Sequence, residues 1–449
     1  MLRSIAERFE FERLQTDWTT EVVAGISLFL SIAYIFILNP AILSESGIPA
    51  GAVFFATIVA SASATLIMGL YARLPFALAP GLEANGFFAF VVVATLGFTW
   101  QEALGIVFWS GLLCLVLTII PARQRIIDSI PEGLKVAISV SVGVFVMVIG
   151  LVVTDLVQFS DGVPSAVGDF ASPKAFLLYI GFAVALLLGL RRKSTGRPVF
   201  FAGMLVSIVL CTVIAHFLDV KADTPPAVAS EFFSALGAFD LFGIFSDPRT
   251  WTVLLVFFMI DFYGSIGKFI GLTRQTNLQT EGAVKNMDKA LYVDGGATMV
   301  GSALGTSTVI TYVESAVGIG QGGRTGIVAI VCALLMFASL SLSSLVSIVP
   351  TAAVAGTLIY VGWLLFPRDE LFTQGGDDAN KKLASFDFFV VTAMGLLSAV
   401  TFSLDKALLL GFVAYSAKAL VVDRKLNPYL AGSTVLLGVA MAYQYFGLS

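Results

Sequence analysis

From residue 19 to residue 422 the chain is a succession of apolar runs separated by short polar breaks. The runs fall at 19–39, 50–71, 75–96, 101–120, 133–153, 174–190, 199–218, 250–272, 287–304, 307–320, 325–347, 349–366, 386–403 and 405–422. Most approach the length of about 20 residues that a helix needs to cross a bilayer, so the sequence predicts about fourteen transmembrane segments. A further apolar stretch, 430–447, either spans or lies along the interface. Charged residues make up 12% of the chain, about half of what a soluble domain carries. The expected fold class is an all-α polytopic membrane protein.

Several functions are disfavoured by what the polar residues lack. No basic stripe runs along the chain, so nucleic acid is not an expected partner. Cys114, Cys211 and Cys332 lie far apart in apolar runs and form neither a disulfide framework nor a zinc site. One histidine, His216, near the end of the seventh run, cannot supply a hydrolase triad or metal cluster. No cofactor is implied, and the chain does not read as an enzyme. Residues 1–18 lack the apolar core of a signal peptide and read as an amphipathic segment on the cytosolic surface. Lysine and arginine cluster in alternate loops, for example Arg123, Arg125, Arg191, Arg192, Lys193 and Arg197, which sets the N-terminus inside. The expected location is the plasma (inner) membrane, crossed many times.

Two runs are interrupted. The third reads LPFALAPGLEANGFFAF and is broken by Pro75, Pro80 and Gly81. The tenth opens with Ser307, Thr308, Val309 and Ile310, a set that favours extended backbone, and then carries Glu314. In each, a carboxylate follows the break: Glu83 after Pro80, Glu314 after Thr311. Extended backbone at membrane depth is tolerated only where protein or a water-filled cavity satisfies it. Interrupted spans at matching positions in two halves of about seven point to an inverted-repeat transporter with its site between them.

The candidate site residues follow from the cost of burying them. Asp261 lies near the middle of the eighth run, and Ser265 and Lys268 share its helix face. A charge at the bilayer centre costs at least roughly 2.5–3.5 kcal/mol, so it must face a cavity or a partner. Lys268 could pair with Asp261 or with Glu83, or reach toward the cytosol. Asn85 can donate and accept toward a planar heterocycle, or cap a helix. Ser307 and Thr308 could contact substrate or satisfy carbonyls of the broken helix. Glu314 and Asp261 are the candidate proton carriers, because a desolvated carboxylate takes up a proton readily. Asp294 reads as structural.

The segments IAYIFILNPAIL, MGLYARLPFALAPGLEANGFFAF, FFMIDFYGSIGKFIGL and LGTSTVITYVESAVGIGQGGRTG resemble the signatures of the nucleobase/ascorbate permease superfamily, nearest its AzgA-type adenine/guanine/hypoxanthine branch. The resemblance covers essentially the whole chain. It implies about fourteen spans in two inverted repeats of about seven, with short antiparallel strands in the third and tenth. It implies a core domain from 19–120 and 250–347 and a gate domain from 133–218 and 349–422, with 423–449 a C-terminal hydrophobic segment. By position, the family's site Asn, Asp and Glu fall on Asn85, Asp261 and Glu314. It also implies proton-coupled uptake of a purine base, by rocking of core against gate, and in many members a homodimer. Three positions depart from the branch: Gly264 stands where it carries a second Asp, Lys268 where it carries a small hydroxyl residue, and Glu83 where it carries Gly. The alternative reading is an inorganic-anion or bicarbonate transporter of the same inverted-repeat architecture, with Lys268 holding the anion. A channel is a weaker rival, since no carbonyl-filter motif is present.

Overall fold

A computed structural model describes residues 2–120, 130–160, 163–190, 203–222, 228–274, 279–280, 283–284, 286–312, 314–364, 366, 385–424 and 427–446. Arg123, Arg125, Arg191, Arg192, Lys193 and Arg197, six of the basic residues from which the orientation is read, lie outside the described residues.

The helices are α1 (Leu2–Arg8), α2 (Phe11–Leu14), α3 (Trp18–Ile32), α4 (Ile35–Leu43), α5 (Ala50–Ile67), α6 (Leu82–Gly86), α7 (Trp100–Ile119), α8 (Glu132–Val152), α9 (Pro173–Leu190) and α10 (Gly203–Phe217). They continue with α11 (Arg249–Arg274), α12 (Met287–Leu304), α13 (Ser315–Gly320), α14 (Gly326–Ala338), α15 (Thr351–Leu364), α16 (Ser385–Thr401), α17 (Leu404–Val421) and α18 (Pro428–Phe446). Among the described residues, five helical stretches are long and apolar enough to cross a membrane: Trp18–Ser46, Ala50–Ala72, Trp100–Ile119, Glu132–Val152 and Gly326–Ser343. Shorter apolar helices, such as Pro173–Leu188 and Thr351–Trp363, accompany them. This is a multi-pass membrane protein. Residues 430–446 of the last apolar stretch fall within α18, a helix packed on α11 and α17; residue 447 lies outside the described residues.

Packing sorts most helices into two groups. The first joins α3, α4, α5, α7, α11, α12 and α14, with α7 against α12 and α14 against α3 and α5. The second joins α8, α9, α10, α15, α16 and α17, with α8 against α15 and α16. The N-terminal segment is helical, in two pieces, and Phe9 and Phe11 pack on Ile327 at the start of α14. The sequence gives no sign of the hairpin Val157–Ser160 and Val163–Val167 in the polar 154–173 loop. Its Phe159 stacks on Phe402, which also stacks on Phe145 of the second group.

Both interrupted runs contain a strand, Leu78–Pro80 and Val309–Thr311, here called the central strands. They pair antiparallel, with Leu78 opposite Thr311, Ala79 opposite Ile310 and Pro80 opposite Val309. Every open end of this short ladder finds a partner. Gly81 N–H donates to the Thr308 carbonyl at 2.9 Å and Tyr312 N–H to the Ala77 carbonyl at 2.9 Å. Leu78 N–H donates to Thr65 Oγ1 at 2.9 Å, and Ala77 N–H to Ser315 Oγ at 3.0 Å. Asp294 accepts from both the backbone N–H and the hydroxyl of Thr311, the structural role its sequence context predicts. Protein groups therefore replace the water that extended backbone would otherwise need at this depth.

A close crossing holds the start of the eleventh run. A Cβ added at Gly326 would stand 2.1 Å from the Gly69 carbonyl oxygen and 2.9 Å from Arg73 Cα. Neither is a flexible side-chain tip, so the backbone itself must part. Gly326→Ala is expected to destabilise the protein by about 1–3 kcal/mol, the usual range for overpacking. An unchanged melting temperature in detergent would show that the crossing yields without cost.

The loop from Val228 to Arg249 laces one end of the first group together. Gly51 N–H donates to Glu231, Asp240 N–H to the Gln101 carbonyl, Gly237 N–H to the Ala303 carbonyl and Trp109 Nε1 to the Leu241 carbonyl. Arg249 closes it, donating to the Leu96 carbonyl at 3.0 Å and lying over the Phe98 ring. The hydrogen-bonded Arg249 guanidinium also holds the Asp247 carboxyl below the usual carboxylate range.

Candidate functional site

The central strands end where two short helices begin. Gly81 has extended backbone and passes the chain into α6, whose first turn carries Glu83. Across the ladder, Tyr312 and Glu314 lead into α13. Between these helices, α4, α8, α11 and α15 lies a cavity of about 300 Å³, counting its mouth. Its walls are Tyr34, Leu82, Glu83, Val146, Lys268, Tyr312, Glu314 and Val361. Val146 and Val361 come from the second helix group, so the cavity sits between the two.

Three of the residues expected at a site line this cavity. Glu83 and Lys268 form a buried ion pair, with Nζ 2.9 Å from Oε1 and side chains only 5% and 11% exposed. The ammonium also lies 5.9 Å from the centre of the Tyr312 ring. Glu314 is buried, and its Oε1 accepts from the Tyr34 hydroxyl at 2.8 Å. Its Oε2 is buried without a hydrogen-bond partner among the described residues. Tyr312 gives its hydroxyl proton to the Pro80 carbonyl. The cavity therefore presents an acceptor oxygen, two aromatic faces and a self-neutralised charge pair.

The other four stand behind the walls. Asp261 is fully buried on α11 and accepts from the Thr298 hydroxyl at 2.7 Å. Asn85 donates to Asn39 and accepts from the Ser307 hydroxyl, so Asn85 and Ser307 answer each other across the two broken runs. Thr308 is buried, its hydroxyl without a partner among the described residues. Neither Asp261, Asn85, Ser307 nor Thr308 is among the residues lining the cavity.

The departures from the resembling branch are connected in space. A Cβ on Gly264 would stand 3.8 Å from Glu83 Oε1. Glu83 thus reaches across from α6 to α11 beside Gly264, and Lys268 one turn further on holds it. Sequence reasoning missed Tyr34, Tyr312 and Asn39. A tyrosine hydroxyl buried in an apolar run usually finds a partner, and that rule could have singled out Tyr34.

A family profile described as a permease family, Xan_ur_permease, matches residues 19–367. The chain belongs to the nucleobase/ascorbate permease family. The adenine permease AdeP of Escherichia coli strain K12 is 35% identical over 409 residues, 91% of this chain and 88% of that one. The guanine/hypoxanthine permease PbuO of Bacillus subtilis strain 168 is 32% identical over 418 residues, 91% and 93% of the two chains. In fold, the transmembrane domain of a cyanobacterium bicarbonate transporter, BicA, superposes with a TM-score of 0.62 at 16% identity, covering 87% of this chain and 96% of that one. As a member of the nucleobase/ascorbate permease family the chain is grouped with transporters, not enzymes.

Proposed function

We propose that this permease takes up a purine base, adenine, guanine or hypoxanthine, together with a proton. The observation that carries the reading is Glu314 Oε2, a buried acceptor without a partner among the described residues, in a cavity walled by Tyr34 and Tyr312. A ring N–H would satisfy it, and the tyrosine faces would flank the ring. Glu314 is the foremost substrate contact and proton carrier; Asp261, held by Thr298, carries protons from behind the wall. Asn85, Ser307 and Thr308 act by shaping the site.

The anion reading has the fold likeness to BicA in its favour. Against it, Lys268 is already neutralised by Glu83, and Glu314 adds acidic character to the cavity. Relatives over most of the chain named for adenine and guanine/hypoxanthine weigh the same way. Ligand-induced thermal stabilisation of the purified protein separates the two, since a ligand that binds only the folded state raises its stability. Adenine, guanine or hypoxanthine should raise the melting temperature and bicarbonate should not. The reverse result would replace purine by anion.

The remaining architecture follows the family. About fourteen spans form two inverted repeats of about seven in the plasma membrane, with the N-terminus cytosolic. The first helix group is the core and the second the gate, and transport is their relative rocking within a homodimer. Asp261→Asn tests the coupling: purine binding should survive, while uptake should no longer accelerate when the outside is acidified. Equal loss of binding and uptake would make Asp261 a recognition residue instead.

A further inference from the structure

Asn39 lies on α4, directly before Pro40, and is fully buried without lining the cavity. Its amide is the hub of a closed polar network. The two N–H groups donate to Thr57 Oγ1 at 2.6 Å and Thr306 Oγ1 at 2.9 Å. Its oxygen accepts from Asn85 Nδ2, and the Asn85 oxygen accepts from the Ser307 hydroxyl. Thr57 passes its own proton to the Val53 carbonyl at 2.5 Å. The network joins α4, α5, α6 and the two residues that lead into the second central strand.

The same span holds that broken run a second time. Tyr34, five residues before Asn39, donates to Glu314 at 2.8 Å. Five residues of helix cover about 7–8 Å. Thr306 precedes the strand and Glu314 follows it, so α4 and its cap grip the strand at both ends. Such support has a physical reason. A two-stranded ladder is marginal by itself, and here each strand has three residues. Buried amides and hydroxyls are strongly directional at low dielectric, and each costs heavily if left unmade.

We infer that Asn39 is a positioning residue of the transport site. It fixes α6, which carries Glu83, against the strand that leads to Glu314, and so keeps two carboxylates on separate broken runs facing one cavity. The inference rests on the reading of this cavity as the transport site. It assigns no substrate contact to Asn39; its effect passes through Asn85 and Thr306.

The experiment uses the full chain in proteoliposomes, with adenine and hypoxanthine as probes. Asn39→Leu removes the hub. Thr306→Val removes one acceptor at nearly constant volume, and Thr306→Ser keeps it. Asn39→Leu and Thr306→Val should raise KM roughly ten- to hundredfold, the worth of one or two buried hydrogen bonds, with Vmax largely kept. Thr306→Ser should restore the wild-type KM. A second readout needs no substrate. Amide exchange at Gly81 and Tyr312, which close the ladder, should quicken in Asn39→Leu while α7 keeps its protection. Unchanged KM with unchanged exchange overturns the inference. So does a loss that follows only a lower melting temperature, with exchange quickened throughout. Should the wild-type protein bind no purine, the transport reading fails by itself, and the exchange readout still upholds or overturns the clamp.

Discussion

Glu314→Gln is expected to abolish uptake while the protein still reaches the membrane at its normal level. The substitution preserves volume, and the amide oxygen can still accept from Tyr34, whose hydroxyl lies 2.8 Å away. What changes is the second position, Oε2, which has no hydrogen-bond partner among the described residues. There a carboxylate accepts and an amide donates. A ring N–H brought to that point would meet another N–H. Losing a charge-assisted hydrogen bond weakens binding by about 1.5–3 kcal/mol, or roughly ten- to hundredfold. Glutamine also cannot carry a proton, so whatever binding survives should not be driven by the pH gradient. Wild-type uptake with unchanged pH dependence would remove Glu314 from both roles.

The pair Glu83–Lys268 should show the largest effect on stability. Lys268→Met leaves the Glu83 carboxylate in a site where its side chain is 5% exposed, and Glu83→Gln leaves the ammonium at 11%. Breaking a buried pair by removing one partner typically costs about 3–5 kcal/mol. The double variant removes both charges and should recover most of that loss, because its two halves are in direct contact and cannot be additive. Melting of the three variants in detergent decides it. Additive losses would mean that the contact is incidental and that Lys268 serves the substrate alone.

How much of this was legible beforehand depends on the kind of residue. The two breaks were readable, because Pro80 and Gly81 in one run and the β-branched set around Val309 in the other act locally. The pairing of Lys268 with Glu83 was one of several partners the cost of a buried charge allowed. That cost demands a partner but does not name it, and so it also drew Asp261 into the cavity, from whose wall the side chain turns to Thr298. The partners of Tyr34 and Asn39 were beyond reach for a different reason. Those partners, Glu314 and Thr306, are 280 and 267 residues away, and no local period encodes such a meeting. Ser307 and Asn85 carried hydrogen-bonding groups that suit a ligand equally well, and only the packing shows that they spend them on each other.

The laced loop between Val228 and Arg249 has a practical meaning. Its bonds to Gly51, Gln101, Trp109 and Ala303 all reach the first helix group. Gly237 stands at its turn with a positive φ of 68° and no atom within 4 Å of where a side chain would begin. The molecule thus carries a stiff handle fixed to one of its two halves. A spectroscopic tag or antibody fragment on that handle would report on the half that holds Glu314, and its distance to a second tag on α9 would measure whether the two helix groups move as the proposed rocking requires.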